Sequence, residues 1–252
     1  MGRTRAPAVA GSFYPEDAKE LAAEISRLLE LAPRGPTPKA LVAPHAAYIY
    51  SGPIAASIFK RLAGARIERV VLLGPSHFTR LRGLALPQAT AFATPLGEVP
   101  IEIVEGFASD ADAHAREHSL EVEVPFLQLT LGKFHLVPLA VGDAAREEVA
   151  QALEALWGGE ETLIVISSDL SHYLPYAEAR AADAATAKEI LALGRVLPGD
   201  ACGAAPVNGL LLAARRKGMR AELVDLRNSG DTAGEKRRVV GYGAFAFYPA
   251  EA

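Results

Sequence analysis

The sequence predicts an α/β fold, a single domain in which a central, largely parallel to mixed β-sheet is flanked by α-helices. Short, unbroken apolar runs are the first observation behind this prediction, because strands covered by helices on both faces lack polar alternation. Amphipathic stretches between those runs supply the helices. The 252 residues contain no internal repeat and no long flexible linker, so one domain over residues 1–252 is expected.

Two stretches have the apolar spacing of a helix that lies on a core. In the segment from Pro15 to Leu31 the apolar stripe consists of Leu21, Ile25, Leu28 and Leu29. A second helix is predicted after Asp143, whose carboxylate is expected to cap the free amides of the first turn. Its stripe consists of Val149, Leu153, Leu156 and Trp157.

Five apolar runs are predicted to be buried strands. They are Ala40–Ala43, Val70–Leu73, Leu136–Val141, Leu163–Ile166 and Val239–Tyr248. The segment Leu84–Ile103 differs, because it is rich in Thr, Pro and Gly and has no helical period. An antiparallel or mixed portion of sheet is therefore expected there.

Composition excludes several classes of protein. The 26 basic and 30 acidic side chains give a net charge of −4, which offers no electrostatic footprint for nucleic acid or for an anionic membrane. No run approaches the roughly 20 apolar residues of a membrane-spanning helix. The single cysteine forms no disulfide within the chain, and the first residues lack the apolar core of a signal peptide. A cytoplasmic protein is expected.

Three of the apolar runs end in residues suited to chemistry. One run is followed by His45, the next by His77, and a third by Asp169 and His172. In open α/β sheets ligands bind in the crevice beyond the carboxyl ends of the strands. The fold prediction therefore brings three imidazoles and one carboxylate to the same rim.

The only cysteine, Cys202, stands where a helix with the apolar residues Val207, Leu210 and Leu211 is expected to begin. The dipole and free amides of a helix N-terminus favour a thiolate, the form that binds metals and attacks electrophiles. Burial as a small apolar side chain is the alternative, since unpaired cysteines are among the most buried residues. The residues alone leave both interpretations open.

Two further segments carry polar groups near these positions. Glu117, His118 and Glu121 are candidates to orient metal ligands, since ligating imidazoles commonly donate their other N–H to a carboxylate. In the second segment, Ser229 and Asp231 most simply form a turn but would touch substrate if their loop covers the crevice. Aromatic residues beside the rim, Tyr48 among them, fit either a pocket wall or the core.

Several ordered motifs resemble those of the Memo family, from about Ala10 to Tyr248. The motifs are AGSFYP, APHAAYIYSG, GPSH, EHSLEVEVPFL, SSDLSH, the Cys-Gly pair at 202 and 203, and NSGD followed by VVGY. The Memo family is similar in fold to the class III extradiol dioxygenases. The resemblance implies a central sheet flanked by helices and a non-haem metal at the strand ends. It also implies that His45, His77 and Cys202 are the metal ligands, with Asp169 and the acid–base residue His172 beside them.

The resemblance also implies a function, a metal-dependent oxidoreductase that acts on a small organic substrate, with aromatic compounds among the candidates. Fe(II) is the expected metal, with Cu or Zn as alternatives, and a radical-SAM protein is an expected partner. The dioxygenases hold iron with two histidines and a carboxylate, whereas a thiolate replaces the carboxylate in this chain. Sulfur donates more charge to the metal and is itself oxidised by O₂.

Three other functions remain open. One is a zinc hydrolase in which His172 or Glu121 acts as the base. Another is a module without turnover that binds a peptide or a phosphotyrosine-type ligand, as the resemblance to animal relatives implies. The last is catalysis by Cys202 as a nucleophile with His172 as its base.

Overall fold

A nine-stranded mixed β-sheet forms the centre of the protein in a computed structural model that describes residues 3–250. The strands are β1 (Thr4–Arg5), β2 (Ala40–Ala43), β3 (Arg69–Pro75), β4 (Leu84–Leu86), β5 (Ala91–Thr94), β6 (Gly97–Pro100), β7 (Ala108–Ser109), β8 (His135–Val141), β9 (Thr162–Ser167), β10 (His172–Leu174), β11 (Met219–Asn228) and β12 (Val239–Pro249). The helices are α1 (Ala18–Leu31), α2 (Tyr48–Phe59), α3 (Ala111–Ala115), α4 (Val124–Leu131), α5 (Arg146–Leu156), α6 (Tyr176–Leu191) and α7 (Ala204–Arg216).

The middle of the large sheet is parallel and its flanks are antiparallel. The strand order is β10-β12-β2-β9-β3-β8-β4-β7, and β11 pairs with β12. Strands β2, β9, β3 and β8 run parallel, whereas β12 and β4 pair with them in the antiparallel sense. The prediction of a largely parallel to mixed sheet is confirmed, and each predicted apolar run lies within a strand.

The segment predicted to be antiparallel or mixed has that character. Strand β4 is antiparallel to β8, and β5 and β6 form an antiparallel pair. Strand β1 joins that pair on the other side of β5, in the parallel sense, to complete a separate three-stranded sheet.

The central strands are buried on both faces. Leu41 and Leu72 face one apolar cluster, whereas the neighbouring residues Val42 and Leu73 face another. Helices α1, α2 and α4 contribute to the first cluster, and α5, α6 and α7 contribute to the second. Helices on both sides thus explain why the strand sequences show no polar alternation. No helix between residues 3 and 250 has the length and hydropathy needed to cross a membrane.

The first helix matches its prediction. The Asp17 carboxylate accepts the backbone N–H groups of Lys19 and Glu20 at 2.8 and 3.0 Å and so caps the start of α1. The predicted apolar stripe is buried, and its members are Leu21, Ile25, Leu28 and Leu29.

The second helix forms as predicted, but its predicted cap is wrong. Residue Ala145 precedes the first turn of α5, and no side chain caps it. The backbone of Asp143 instead pairs with Leu81 and Gly83, which holds it beside the chain leading into β4. The apolar stripe Val149, Leu153 and Leu156 is buried, and Trp157 follows the last residue of the helix.

Candidate metal centre

Three neighbouring parallel strands deliver the polar groups of the site. Strands β2, β9 and β3 end at Ala43, Ser167 and Pro75, and His45, Asp169 and His77 each follow two residues later. Because adjacent parallel strands end at the same edge of the sheet, these residues meet there. A cavity of about 810 Å³ lies at this edge. Its wall includes Phe13, His45, Tyr50, His77, His118, Asp169, His172, Tyr173, Cys202, Ser229, Arg238 and Tyr242.

The three side chains that the resemblance implies as metal ligands lie together. One donor atom from each of His45, His77 and Cys202 lies within 4.8 Å of the other two. The closest measured approach is 3.3 Å between Cys202 Sγ and His45 Nε2. Ligands held at bond lengths of about 2.0–2.3 Å from one metal lie roughly 3–4 Å apart, so the cluster is close to the dimensions of a metal site.

Cys202 reaches the cluster from the turn before α7. Gly203 allows this turn to pack tightly, because a Cβ atom at that position would lie 2.6 Å from Cβ of Ser168. The backbone N–H of Asp169 donates to Cys202 Sγ at 3.3 Å. Burial and the nearby Asp169 carboxylate raise the pKa of the Cys202 thiol to about 12. The protonated thiol is therefore favoured in the metal-free protein, because the cost of desolvating a thiolate outweighs its stabilisation by the start of α7.

Glu117 holds His77 from behind. Its carboxylate accepts from His77 Nδ1 at 2.9 Å and from the His77 backbone N–H at 2.5 Å. It also accepts the backbone N–H groups of His118 and Ser119, both at 2.9 Å. Burial alone would raise the pKa of Glu117, but these hydrogen bonds, with those from His77 the largest, lower it to about 2. An ionised carboxylate only accepts, so Nδ1 of His77 carries a proton and Nε2 keeps its lone pair.

Two side chains hold His45, one from the last residue of β9 and one from just beyond that strand. Its backbone N–H donates to Asp169 Oδ1 at 2.8 Å, and its Nδ1 lies 2.7 Å from Ser167 Oγ. Burial lowers the pKa of His45 well below its ordinary value, with the neighbouring imidazoles adding to the effect. Burial also raises the pKa of Asp169 to about 7, against the opposing effect of the hydrogen bond from His45.

His172 lies at the rim of the cavity. Its Nδ1 donates to the carbonyl oxygen of Leu170 at 2.8 Å, which leaves Nε2 as a free acceptor. Partial burial of the ring lowers the pKa of His172, which favours the neutral imidazole. The pairing of β10 with β12 shifts register between His172 and Leu174, and Tyr173 there has a φ of 61°. Such a bulge re-aims side chains and is common beside functional sites.

His118 forms part of the same wall. Its ring stacks on that of His77 with the centroids 4.8 Å apart, and Phe13 packs on it at 4.7 Å. Among residues 3–250, its buried Nδ1 has no hydrogen-bond partner. His118 therefore lies beside the ligand cluster.

Glu121, the third residue of that motif, lies elsewhere and does not face the metal ligands. Its buried carboxylate forms an ion pair with Arg5 and accepts the Tyr14 hydroxyl. It also accepts the backbone N–H groups of Ala8 and Val9 at 2.8 and 3.0 Å. Glu121 therefore anchors the N-terminal segment. The expectation that it orients a metal ligand or acts as a base at the metal site is corrected accordingly.

Of the two places that the sequence left open for Tyr48, a pocket wall or the core, it occupies the core. Its side chain is buried against Phe126 at a centroid distance of 4.9 Å, and its hydroxyl donates to the Val122 carbonyl at 2.7 Å. Tyr48 thus belongs to the core. Tyr50, two residues later, lines the cavity instead.

The turn predicted around residue 230 contributes one of its two candidate residues to the cavity. Ser229 lies in the wall, where its Oγ accepts the Val240 backbone N–H at 3.1 Å. Asp231 instead accepts the Tyr176 hydroxyl and the Asn228 backbone N–H, which closes the turn. The interpretation of Asp231 as a substrate-binding residue is therefore corrected to that of a turn former.

Sequence reasoning missed several residues of the site. Ser167 and Glu123 lie behind His45, and Phe13, Tyr242 and Arg238 complete the cavity wall. The guanidinium of Arg238 lies 5.0 Å from the ring of Tyr173 at the rim. Ser167 directly follows a buried apolar run, which is the same signal that identified His45 and His77. Glu123 follows no such apolar run, because Glu121 stands two residues before it, so the sequence contains no comparable signal for Glu123.

The chain is similar to known proteins over nearly its whole length. A family model described as Memo-like protein matches residues 5–246. A MEMO1 family protein of Aquifex aeolicus is 38% identical, and the alignment covers 95% of this chain and 97% of the relative. One from Archaeoglobus fulgidus is 36% identical, over 96% of this chain and 99% of the relative. One from Pyrobaculum aerophilum is 33% identical, with 98% and 99% covered.

Proposed function

Because the chain belongs to the Memo-like protein family, we propose that it is a metal-dependent oxidoreductase with a centre formed by His45, His77 and Cys202. Fe(II) is the metal we propose first, with Cu or Zn as alternatives. The observation that carries the proposal is the approach of two imidazole nitrogens and one sulfur to within 4.8 Å of one another beside a cavity.

The donor set fits a metal of this kind. Nδ1 of His77 is occupied by Glu117, and Nδ1 of His45 by Ser167, so both rings keep Nε2 for coordination. Imidazole nitrogens suit iron, copper and zinc, and a thiolate favours soft or borderline ions. Cys202 is the one ligand that must lose a proton, which makes binding dependent on pH.

Three protein ligands beside a cavity favour catalysis over a purely structural site. Structural sites usually close with four protein ligands, whereas catalytic sites keep a position for substrate or water. The cavity volume of about 810 Å³ is that of a small-molecule site. Its aromatic walls, which include Phe13, Tyr50, Tyr173 and Tyr242, support a small organic substrate with an aromatic ring.

The protein's own groups support proton transfer at this centre. A bound metal supplies Lewis acidity and a binding position for substrate oxygen atoms and for O₂. His172 presents a neutral Nε2 to the cavity and takes a proton from a substrate hydroxyl. Asp169 holds the backbone of His45 and, through its own N–H, the sulfur of Cys202.

A zinc hydrolase is the alternative within the same centre. The structure removes Glu121 from it as a base, because that carboxylate is held by Arg5 and Tyr14. His172 remains available for the role. Stoichiometric zinc with esterase or amidase activity in the native protein would favour this alternative over iron chemistry.

A binding module without turnover is the second candidate, and the rim of the cavity favours it. Arg238 lies beside Tyr173 in the cavity wall. Outside that wall, Arg116 lies 5.4 Å from the ring of Phe78, which packs on His118. Guanidinium groups beside exposed aromatic rings suit a phosphotyrosine-type ligand. Affinity for phosphotyrosine that does not change with metal loading, and that His172→Ala abolishes, would favour this module.

A Cys202 nucleophile with His172 as its base is less consistent with the geometry. The imidazole that contacts Sγ is that of His45, and burial raises the pKa of the thiol to about 12. A nucleophilic cysteine normally has a lowered pKa. Alkylation by iodoacetamide separates the two functions, because a coordinated sulfur is protected by metal and a free nucleophile is not.

Metal analysis of protein purified without oxygen tests the proposal. We expect about one metal per chain in the wild type and a severalfold lower occupancy in His45→Ala, His77→Ala and Cys202→Ser. Full occupancy in Cys202→Ser would contradict the ligand set. A radical-SAM partner remains a prediction, which copurification under the same anaerobic conditions tests.

A further inference from the structure

The hydroxyl of Ser167 has three polar neighbours at the back of the candidate metal centre. Its Oγ lies 2.7 Å from His45 Nδ1, 2.6 Å from the Ser119 carbonyl oxygen and 2.8 Å from Glu123 Oε1. All four residues are buried, and Ser119, Glu123 and Ser167 are 0% exposed. Bulk solvent therefore does not reach these groups.

Counting protons determines the direction of each bond. A hydroxyl has one hydrogen, and the Ser119 carbonyl accepts only, so the Ser167 hydrogen points to Ser119. Oγ must then accept from both remaining neighbours. His45 meets this condition with a proton on Nδ1, and Glu123 meets it as a neutral carboxylic acid. An ionised Glu123 would leave two acceptors competing for the single hydrogen of Ser167.

We propose that Glu123 is a positioning residue for the metal centre: as a neutral acid it donates to Ser167 Oγ instead of competing for the hydrogen that Ser167 gives to Ser119, and Oγ is left to accept from His45 Nδ1. This arrangement leaves His45 Nε2 unprotonated, 3.3 Å from Cys202 Sγ, where a metal ligand is required. The inference deepens the proposed function, on which its consequence for metal binding rests.

Two independent features support a neutral Glu123. Its second oxygen, Oε2, is buried and has no hydrogen-bond partner within residues 3–250, which is costly for a carboxylate and tolerable for an acid. Burial also raises the pKa of Glu123 well above its ordinary value; this effect outweighs the lowering by the hydrogen bond with Ser167, and the nearby Asp169 adds to it.

One short segment thereby supports both imidazoles. Glu117 binds Nδ1 of His77 directly and accepts the Ser119 N–H, while the Ser119 carbonyl accepts from Ser167 beneath His45. Gly74 in β3 gives Ser119 room, because a Cβ atom there would lie 2.8 Å from Ser119 Oγ. Residues 117–123 thus orient two ligands that come from different strands.

The tautomer of His45 in metal-free protein is the direct test. Nitrogen-15 NMR of histidine-labelled protein should find His45 protonated on Nδ1 in the wild type and in Glu123→Gln, whose amide still donates to Ser167. In Glu123→Leu the Ser119 carbonyl still takes the hydrogen of Ser167, so the Nδ1–H tautomer should persist and the effect of this variant should appear in metal affinity. Infrared spectroscopy should find the band of a protonated carboxyl group in the wild type and not in Glu123→Gln.

Metal affinity gives the second measurement. Titration with Co(II) should yield an affinity about 10–100-fold lower in Glu123→Leu and near the wild-type value in Glu123→Gln. In a Ser167→Ala background, replacing Glu123 by Leu should cause no further loss, because the path through Ser167 is already broken.

Each result decides the inference. A missing infrared band, or a wild-type His45 protonated on Nε2, would overturn it, as would equal Co(II) losses in the Gln and Leu variants. Should Glu123→Leu fail to fold, the infrared difference and the wild-type tautomer still decide. Absence of Co(II) binding in the wild type with the expected tautomer would instead reject the proposed function.

Discussion

Nδ1 of His77 lies 2.9 Å from Oε1 of Glu117, and the other oxygen of this carboxylate accepts the backbone N–H of the same histidine at 2.5 Å. The ring and the backbone of His77 are therefore held by one side chain. Because the chain folds back over 40 residues to make this contact, the orientation of the ring depends on tertiary structure.

Replacing Glu117 by Gln should lower metal affinity about 10–100-fold. The amide has one acceptor oxygen where the carboxylate has two, and it carries no charge to stabilise the proton on His77 Nδ1. Titration with Co(II) measures the change. Unchanged affinity in a folded Glu117→Gln variant would mean that His77 is not a ligand or needs no support.

Glu121→Gln is the matched control and should behave in the opposite way. Removing one partner of a buried ion pair costs about 3–5 kcal/mol of unfolding free energy, and Arg5 would be left without its carboxylate. Metal affinity of the folded variant should stay near the wild-type value. Chemical denaturation and Co(II) titration provide the two measurements. A loss of metal affinity without a loss of stability would return Glu121 to the metal site.

The positions of His45, His77 and Asp169 follow from the sequence because apolar runs identify the central strands, and parallel strands end at one edge. Glu117 and Glu121 are not distinguishable in this way. They lie four residues apart in one motif, but one meets a histidine after β3 and the other meets Arg5 of β1. Only the tertiary fold separates their roles.

Helices α2 and α6 show no clear hydrophobic period in the sequence, so their surroundings in the fold could not be inferred from it. Helix α2 is buried almost all round, so it has no polar face to reveal a period of 3.6 residues. Helix α6 is rich in alanine, which leaves little contrast between its faces. Glu123 was missed as well, since a buried acid cannot be told from a solvated one by residue type.

The free energy of unfolding of Glu123→Gln, compared with that of the wild type, should rise as the pH rises. Burial raises the pKa of Glu123 above the ordinary 4.5, so above pH 4.5 the unfolded chain ionises this group while the folded protein does not. Each further pH unit then costs the wild type up to about 1.4 kcal/mol until the folded pKa is reached. The variant, which has no such proton, should gain in relative stability as the pH rises.

Urea denaturation of both proteins at pH 4 and pH 7 measures this difference. The change in unfolding free energy on going from pH 4 to pH 7 should be more favourable for Glu123→Gln than for the wild type. Parallel stability curves would mean that Glu123 is ionised in the folded protein, contrary to the proton count at Ser167.

His172→Ala should keep the metal and lose turnover. The ring lies at the cavity rim with a free Nε2, outside the cluster of His45, His77 and Cys202. Removing a general base typically slows a reaction about 10²–10⁴-fold. Oxygen uptake by the iron-loaded protein with catechol as the probe, together with metal analysis, gives the two readouts. His135→Ala is the control, because that histidine is exposed and lies outside the cavity wall. Loss of metal in His172→Ala would make His172 a ligand, whereas unchanged oxygen uptake would assign proton transfer to another group.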